Sequence, residues 1–262
     1  MPAPLPMLPV VAGEDRLGLM KLANFLFRFR RVALVVVFFV AFWAPWERLG
    51  GAHPGSTWLW LAGTISALGF FPIATSTIVV IAMATMALLL AALVRTWGAA
   101  YLGSDVVHDR DLHSERVVGD GPYRHLRNPL YLGTWLLTAA LSILMPPGGA
   151  LFALAIVTLL IVAWVRAEER KLTLERGNAY TSYLKKVPRF IPSITPRIPA
   201  GTARPYWLQG FLGEIHLWGM TITYLLFAYR YNVTILEQGV LVSVGVTFLV
   251  RAIWRPSMPA NS

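Results

Sequence analysis

No cysteine occurs among the 262 residues, which excludes disulfides, thiolate nucleophiles and cysteine-based metal sites and leaves the compartment open. Charge is scarce as well: 14% of residues are Asp, Glu, Lys or Arg, against roughly 25% in a soluble domain. Acids are the scarcer sign, 13 Asp and Glu against 23 Lys and Arg. The resulting net charge of +10 would suggest nucleic acid in a soluble fold. Here the bases stand at the ends of apolar runs, where the positive-inside rule and anionic headgroups account for them, so no nucleic-acid partner is expected. Nor does a basic stretch precede an apolar one in "MPAPLPMLPVVAGEDRLG", so a cleaved signal peptide is not expected. Internal repeats and low-complexity tracts are absent from the sequence.

Apolar residues fill the space that charge leaves. The chain is 56% hydrophobic, with ten Trp, thirteen Phe and a mean hydropathy of +0.58. This composition predicts an all-α fold, a polytopic transmembrane helical bundle of about five to seven spans in a lipid bilayer. Residues 17–31 combine Leu, Met and Phe with a basic cluster and suit an interfacial helix. A first span is expected at 32–46, ended by Pro45, Glu47, Arg48, Gly50 and Gly51. The apolar stretch 57–94 is too long for one crossing, and "FFPIATST" (70–77) is where it should fold back. Residues 95–128 are polar and 129–145 apolar. "MPPGG" then makes a hairpin into the apolar run 150–165, so these two runs should pack together. A basic segment, 166–204, precedes two last apolar runs, 210–229 and 239–253.

Three regions follow: 1–94 with the interfacial helix and first spans, 95–200 as the chemical core, and 201–262 as a C-terminal pair of spans. Arg110, Arg116, Arg124 and Arg127 fall on the same side as the bases of 166–204, two crossings away, and that side is expected to be cytoplasmic. Arg28, Arg30 and Arg31 would end up outside if the first three apolar runs all cross. One of those runs is then interfacial or re-entrant, or the N-terminus breaks the rule.

The stretch "GPYRHLRNPLYLG" (121–133) stands at the mouth of an apolar run. Asn128 followed by Pro129 reads as an N-cap and first helical residue, and Gly121-Pro122 as a turn. That leaves Tyr123, Arg124, His125, Arg127 and Tyr131 unexplained. Crowded at a helix start, they can hold an anionic group with backbone N–H and the helix dipole. The second unusual stretch is "EERKLTLERGNAYTSYLKKVPRFIP" (168–192), whose Glu168 and Glu169 follow an apolar run directly. One reading is a solvated helix face pairing Glu168 with Lys171 and Glu169 with Arg176. The other follows from the hairpin, which carries the acids beside the tyrosine-and-arginine mouth. Gly177 should end the helix, and a short amphipathic helix closed by prolines should follow.

In order and spacing, these motifs resemble the isoprenylcysteine carboxyl methyltransferase family and its bacterial and phospholipid methyltransferase relatives. The shared pattern runs G-x-Y-x-x-x-R-[HN]-P-x-Y-x-G, then E-E, then G-x-x-Y-x-x-Y-x-x-x-V-P, across 121–188. "LVRTWGAAYL" (93–102) resembles the family's arginine-bearing helix end. The resemblance implies an integral-membrane enzyme that uses S-adenosylmethionine, with its pocket at the cytoplasmic membrane surface of the inner or another cellular membrane. It implies cofactor contacts at Glu115, Arg116, Val117, Val118, Gly121, Tyr123, Asn128, Pro129, Leu130, Tyr131 and Glu168. Asn128 stands where the prenylcysteine enzymes have His, and Trp164 where they have an arginine four residues before the glutamate. Both departures bear on the acceptor rather than on methyl transfer.

Transfer from a sulfonium needs no metal, and proximity in a water-poor site supplies much of the acceleration. A carboxylate acceptor needs only a cation to place it, for which Arg95, Arg127 and Arg166 are the candidates. An amine or thiol must lose a proton, which brings in Glu169 or His125. The expected acceptor is lipid-like or prenylated, with phospholipid N-methylation and thiol S-methylation as alternatives. His108, Asp109, Asp111 and His113 lack the spacing that puts two ligands on one helical face, and no metal is expected. Glu214, His216 and Glu237 lie in or near the last two runs; ionisable groups in spans are functional candidates by default, and near the run ends the alternative is that they simply reach the interface. A sterol-reductase-like enzyme and a non-enzymatic membrane protein are the outlying readings.

Overall fold

The structure is a computed structural model and describes residues 29–46, 48, 55–108 and 119–253. Every regular element among them is helical, which agrees with the all-α expectation. In chain order these are α1 (Arg30–Trp43), α2 (Thr57–Ala67), α3 (Ile73–His108), a 3-10 turn (Gly121–Arg124) and α4 (Pro129–Ser142). There follow α5 (Pro147–Lys186), α6 (Trp207–Gly213), α7 (Ile215–Arg230) and α8 (Val233–Ile253). The fold-back expected at 70–77 occurs between Ala67 and Ile73, at Pro72 and at Gly69 in the left-handed region. The boundary expected at 94/95 falls inside α3, which runs on unbroken. Of the expected interfacial helix, residues 17–28 lie outside the described residues.

Two helices among the described residues are long and apolar enough to cross a bilayer: α3 over Ile73–Leu102 and α5. A third span results if α6 and α7, bent by 64° at their junction, count as one. The 14-residue α1 and α4 are about 21 Å long, short of a hydrocarbon core of about 30 Å. Length and composition therefore give two or three spans, and a count of five to seven is not established.

Many large apolar side chains point outward, and alanines fill close contacts between helices. Phe39, Leu68, Met83, Leu151, Leu159, Leu241 and Phe248 are exposed, whereas Ala41, Ala62, Ala91, Ala92, Ala140 and Ala153 are fully buried. Lipid is as apolar as Leu, so helices in a bilayer gain from close van der Waals contact, and small residues permit it. Where α5 meets α1, a Cβ on Gly149 would overlap the carbonyl oxygen of Ala41. That oxygen also accepts from Trp46 Nε1, at 3.0 Å. Buried hydroxyls such as Thr85, Thr138 and Thr221 donate to the carbonyl four residues back and leave no unsatisfied donor.

Helix α4 is the common wall between two cores. On one side Ile81, Leu88 and Ala92 of α3 meet Leu217, Tyr224 and Phe227 of α7, and the Tyr224 hydroxyl donates to Ala140 O at 2.8 Å. On the other, Val37 and Ala41 of α1 pack with Val157, Ile161 and Trp164 of α5. The expected packing of the 129–145 run against the 150–165 run is the α4–α5 hairpin. Inside α5, Gly177 takes φ 54 and ψ −130, which breaks the helix and redirects its last turns. Glycine enters that region without steric cost.

Candidate active site

Helix α4 starts at Pro129, whose missing N–H is no loss in a first turn. Asn128 does not cap it. Its side chain makes no cap hydrogen bond and donates instead to Arg189 O at 3.3 Å, across to the segment after α5. That segment, Val187 to Tyr206, runs back over the 3-10 turn as a strap. Arg127 N donates to Pro188 O, Ser193 N to His125 O and Arg197 N to Arg124 O, at 2.9–3.0 Å. Arg124 Nε donates to Ile198 O at 3.0 Å. Asp120 fastens the far end by accepting from the backbone N–H groups of Gly201 and Ala203. His125 Nδ1 lies 2.8 Å from Ser193 O, and a carbonyl only accepts, so Nδ1 carries the proton.

Adjacent in sequence, the two acids have different partners. Glu168 Oε2 accepts from the Tyr131 hydroxyl at 2.9 Å. Glu169 is buried and held by two arginines: Arg127 Nη1 at 3.0 Å, and Arg189 through Nε at 3.2 Å and Nη2 at 2.6 Å. Arg127 also donates to Val187 O at 2.5 Å and to Leu184 O. Pairing of Glu169 with Arg176 on its own helix is therefore replaced by pairing across the loop. Both carboxylate oxygens of Glu169 are thus occupied by guanidinium donors.

Arg95, a candidate for placing a carboxylate, is also engaged. Its Nε and Nη2 donate to the two oxygens of Glu214 at 2.8 Å each, and its Nη1 donates to Leu130 O and Thr134 Oγ1. Glu214 is the residue at the α6–α7 bend and is buried. Arg166 is exposed on α5. Glu115, Arg116, Val117 and Val118 lie outside the described residues, as do Asp109, Asp111 and His113. Gly121 starts the 3-10 turn with φ 57, and Tyr123 within it is buried, its carbonyl accepting from the Tyr183 hydroxyl at 2.9 Å. Tyr183 lies past the Gly177 break, outside the apolar run, where burial pushes its phenol well above the ordinary range and keeps it a neutral donor. Among the described residues no group of three His, Asp or Glu has the arrangement to hold a metal.

The mouth of α4 and the acids of α5 thus meet through two direct contacts, Tyr131–Glu168 and Arg127–Glu169. Residues 63–176 match the phospholipid methyltransferase family. The matched stretch holds both halves of this junction and agrees with the resemblance read from the motif. The chain is also 33% identical over 72 residues to a methanethiol S-methyltransferase of Crocosphaera subtropica. That alignment covers 28% of this chain and spans about 28% of the relative's own length. No solved structure matches the chain. Tyr183 belongs to the second motif, whereas the pairing of Arg189 with Glu169 and of Glu214 with Arg95 has no sequence signal beyond the polarity of these residues beside apolar runs.

The donor set suits S-adenosylmethionine. A carboxylate, Glu168, suits an ammonium or ribose hydroxyls, the α4 start offers free backbone N–H groups, and Tyr131 offers a ring face.

Proposed function

We propose that this protein is an S-adenosylmethionine-dependent methyltransferase of the membrane, with its site on the cytoplasmic side, where Tyr131 and Glu168 meet. The observation that carries this reading is the Tyr131–Glu168 contact, which joins two motifs 37 residues apart. When bound, the cofactor supplies a methyl group on a sulfonium: the acceptor's lone pair makes the new bond, the old bond's electrons stay on the departing thioether sulfur, and an acceptor proton passes to water. Glu168 holds the ammonium or ribose end, with Tyr131 fixing the carboxylate's orientation. Backbone N–H groups at the α4 start hold the carboxylate end. Asn128, Pro129, Leu130, Gly121 and Tyr123 shape the wall beneath the strap, and the strap excludes water.

The acceptor reaches this place from the apolar phase, since the lower wall is the α1–α5 core. A carboxylate acceptor, as in prenylcysteine, is less well served: Arg95 and Arg127 already carry carboxylate partners. The test uses the full chain in detergent. S-adenosylhomocysteine should bind, and Glu168→Gln and Tyr131→Phe should each weaken it at least tenfold while the protein stays folded. Full affinity in both variants overturns the site, and binding of NADPH instead overturns the reaction. Transfer from methyl-labelled cofactor into separated lipid, protein and volatile fractions then names the acceptor class.

A further inference from the structure

Trp164 is 1% exposed, and its Nε1–H has no acceptor among the described residues. The other indoles with a described bond are satisfied: Trp46 by Val40 O and Ala41 O, Trp135 by Thr158 Oγ1, Trp218 by Thr96 Oγ1. A buried donor left unmet is costly, and native folds keep few of them. This one sits inside the candidate site. Trp164 lies one helical turn before Glu168 on the same face of α5, and its ring packs beside that of Tyr131, centroids 6.3 Å apart. Ile161, Val157 and Met145 of the same cluster continue the wall away from the acids. Along α5 the order from the acid inward is therefore Glu168, then Trp164 one turn earlier, then the hydrocarbon of Ile161 and Val157.

Resting on the proposed methyl transfer, we infer that Trp164 is the acceptor-binding residue and that its indole N–H donates to the sulfur of a small thiolate. The polarity of the group selects the class. An amine nucleophile has one lone pair, the pair that must attack, and an N–H donor would occupy it. A carboxylate, with two charged oxygens, calls for a fork of donors or a cation, and here a single neutral N–H is offered. A thiolate sulfur has three lone pairs, so it accepts from Trp164 and attacks with another. A neutral donor also leaves the sulfur's charge uncancelled, and in a dry apolar setting that charge is most reactive toward a cationic methyl donor. The thiol proton has gone to water before transfer.

Three measurements on the full chain in detergent test this, with ethanethiol as the probe. First, wild type should move label from the cofactor to ethanethiol. Its failure to do so overturns the thiol class while S-adenosylhomocysteine binding still stands for methyl transfer. Second, Trp164→Phe should keep S-adenosylhomocysteine affinity within about twofold and lose roughly tenfold in kcat/KM for ethanethiol, mostly through KM. Unchanged kcat/KM, or cofactor affinity falling as far as turnover, overturns the assignment. Third, in 15N-tryptophan-labelled protein bound to S-adenosylhomocysteine, the indole resonance missing from Trp164→Phe should shift on adding ethanethiol, and a static resonance refutes the contact. If Trp164→Phe does not fold, benzothienylalanine at 164 keeps the ring outline without the N–H and must show the same tenfold loss.

Discussion

Glu168 and Glu169 are neighbours in sequence with opposite expected responses to the same change. Glu169→Gln removes the negative charge between Arg127 and Arg189, whose side chains are 13% and 40% exposed. Breaking a buried ion pair from one side costs about 3–5 kcal/mol. Here the cost is smaller, because Arg127 keeps the carbonyls of Leu184 and Val187, Arg189 rehydrates, and Gln retains one oxygen. A loss of about 2 kcal/mol is expected, which at roughly 2–4 °C per kcal/mol for a chain of this size lowers Tm by about 4–8 °C. Glu168→Gln only exchanges a charged for a neutral acceptor of the Tyr131 hydroxyl and should cost about 1 kcal/mol. Thermal unfolding of both variants in one detergent, followed by S-adenosylhomocysteine titration, separates the roles. Glu169→Gln should melt early and still bind when folded, and Glu168→Gln should melt near wild type and bind poorly. The reverse pattern would refute the division of labour.

Replacing Arg95 or Glu214 alone with Met leaves a charge in apolar surroundings and should cost about 3 kcal/mol. The double replacement should recover at least half of that, and additive losses measured by thermal unfolding would contradict a direct pair. Gly149→Ala pushes a methyl into the Ala41 carbonyl and should destabilise by about 1–3 kcal/mol; an unchanged Tm would mean that α1 and α5 are not in contact there. Asp120→Asn gives up one of the two acceptors that fasten Gly201 and Ala203, so trypsin should cut after Arg197, which Ile198 follows, several-fold faster, with S-adenosylhomocysteine restoring protection.

Features carried by local chemistry were readable from sequence. Pro72 marked the fold-back, "MPPGG" the α4–α5 hairpin, and Gly177 the break in α5, because each depends on backbone geometry within a few residues. From the hairpin alone it followed that the acids lie near the tyrosine-bearing turn. Their partners did not follow. Glu169 and Arg176 lie seven residues apart, about 10 Å along a helix, whereas the strap returns Arg189 to hydrogen-bonding distance. Asn128 likewise turns from the cap position to the strap. The Arg95–Glu214 pair closes 119 residues of chain, and no local pattern announces a contact of that range.

The two ends of that ion pair have different standing. Arg95 falls within residues 63–176, the stretch held in common with phospholipid methyltransferases, and Glu214 falls beyond it. The terminal helices are therefore electrically wired to the shared core rather than appended to it. Any relative that dispenses with them must recruit another acid to face this guanidinium or surrender the arginine, so the two positions should be gained and lost as a unit.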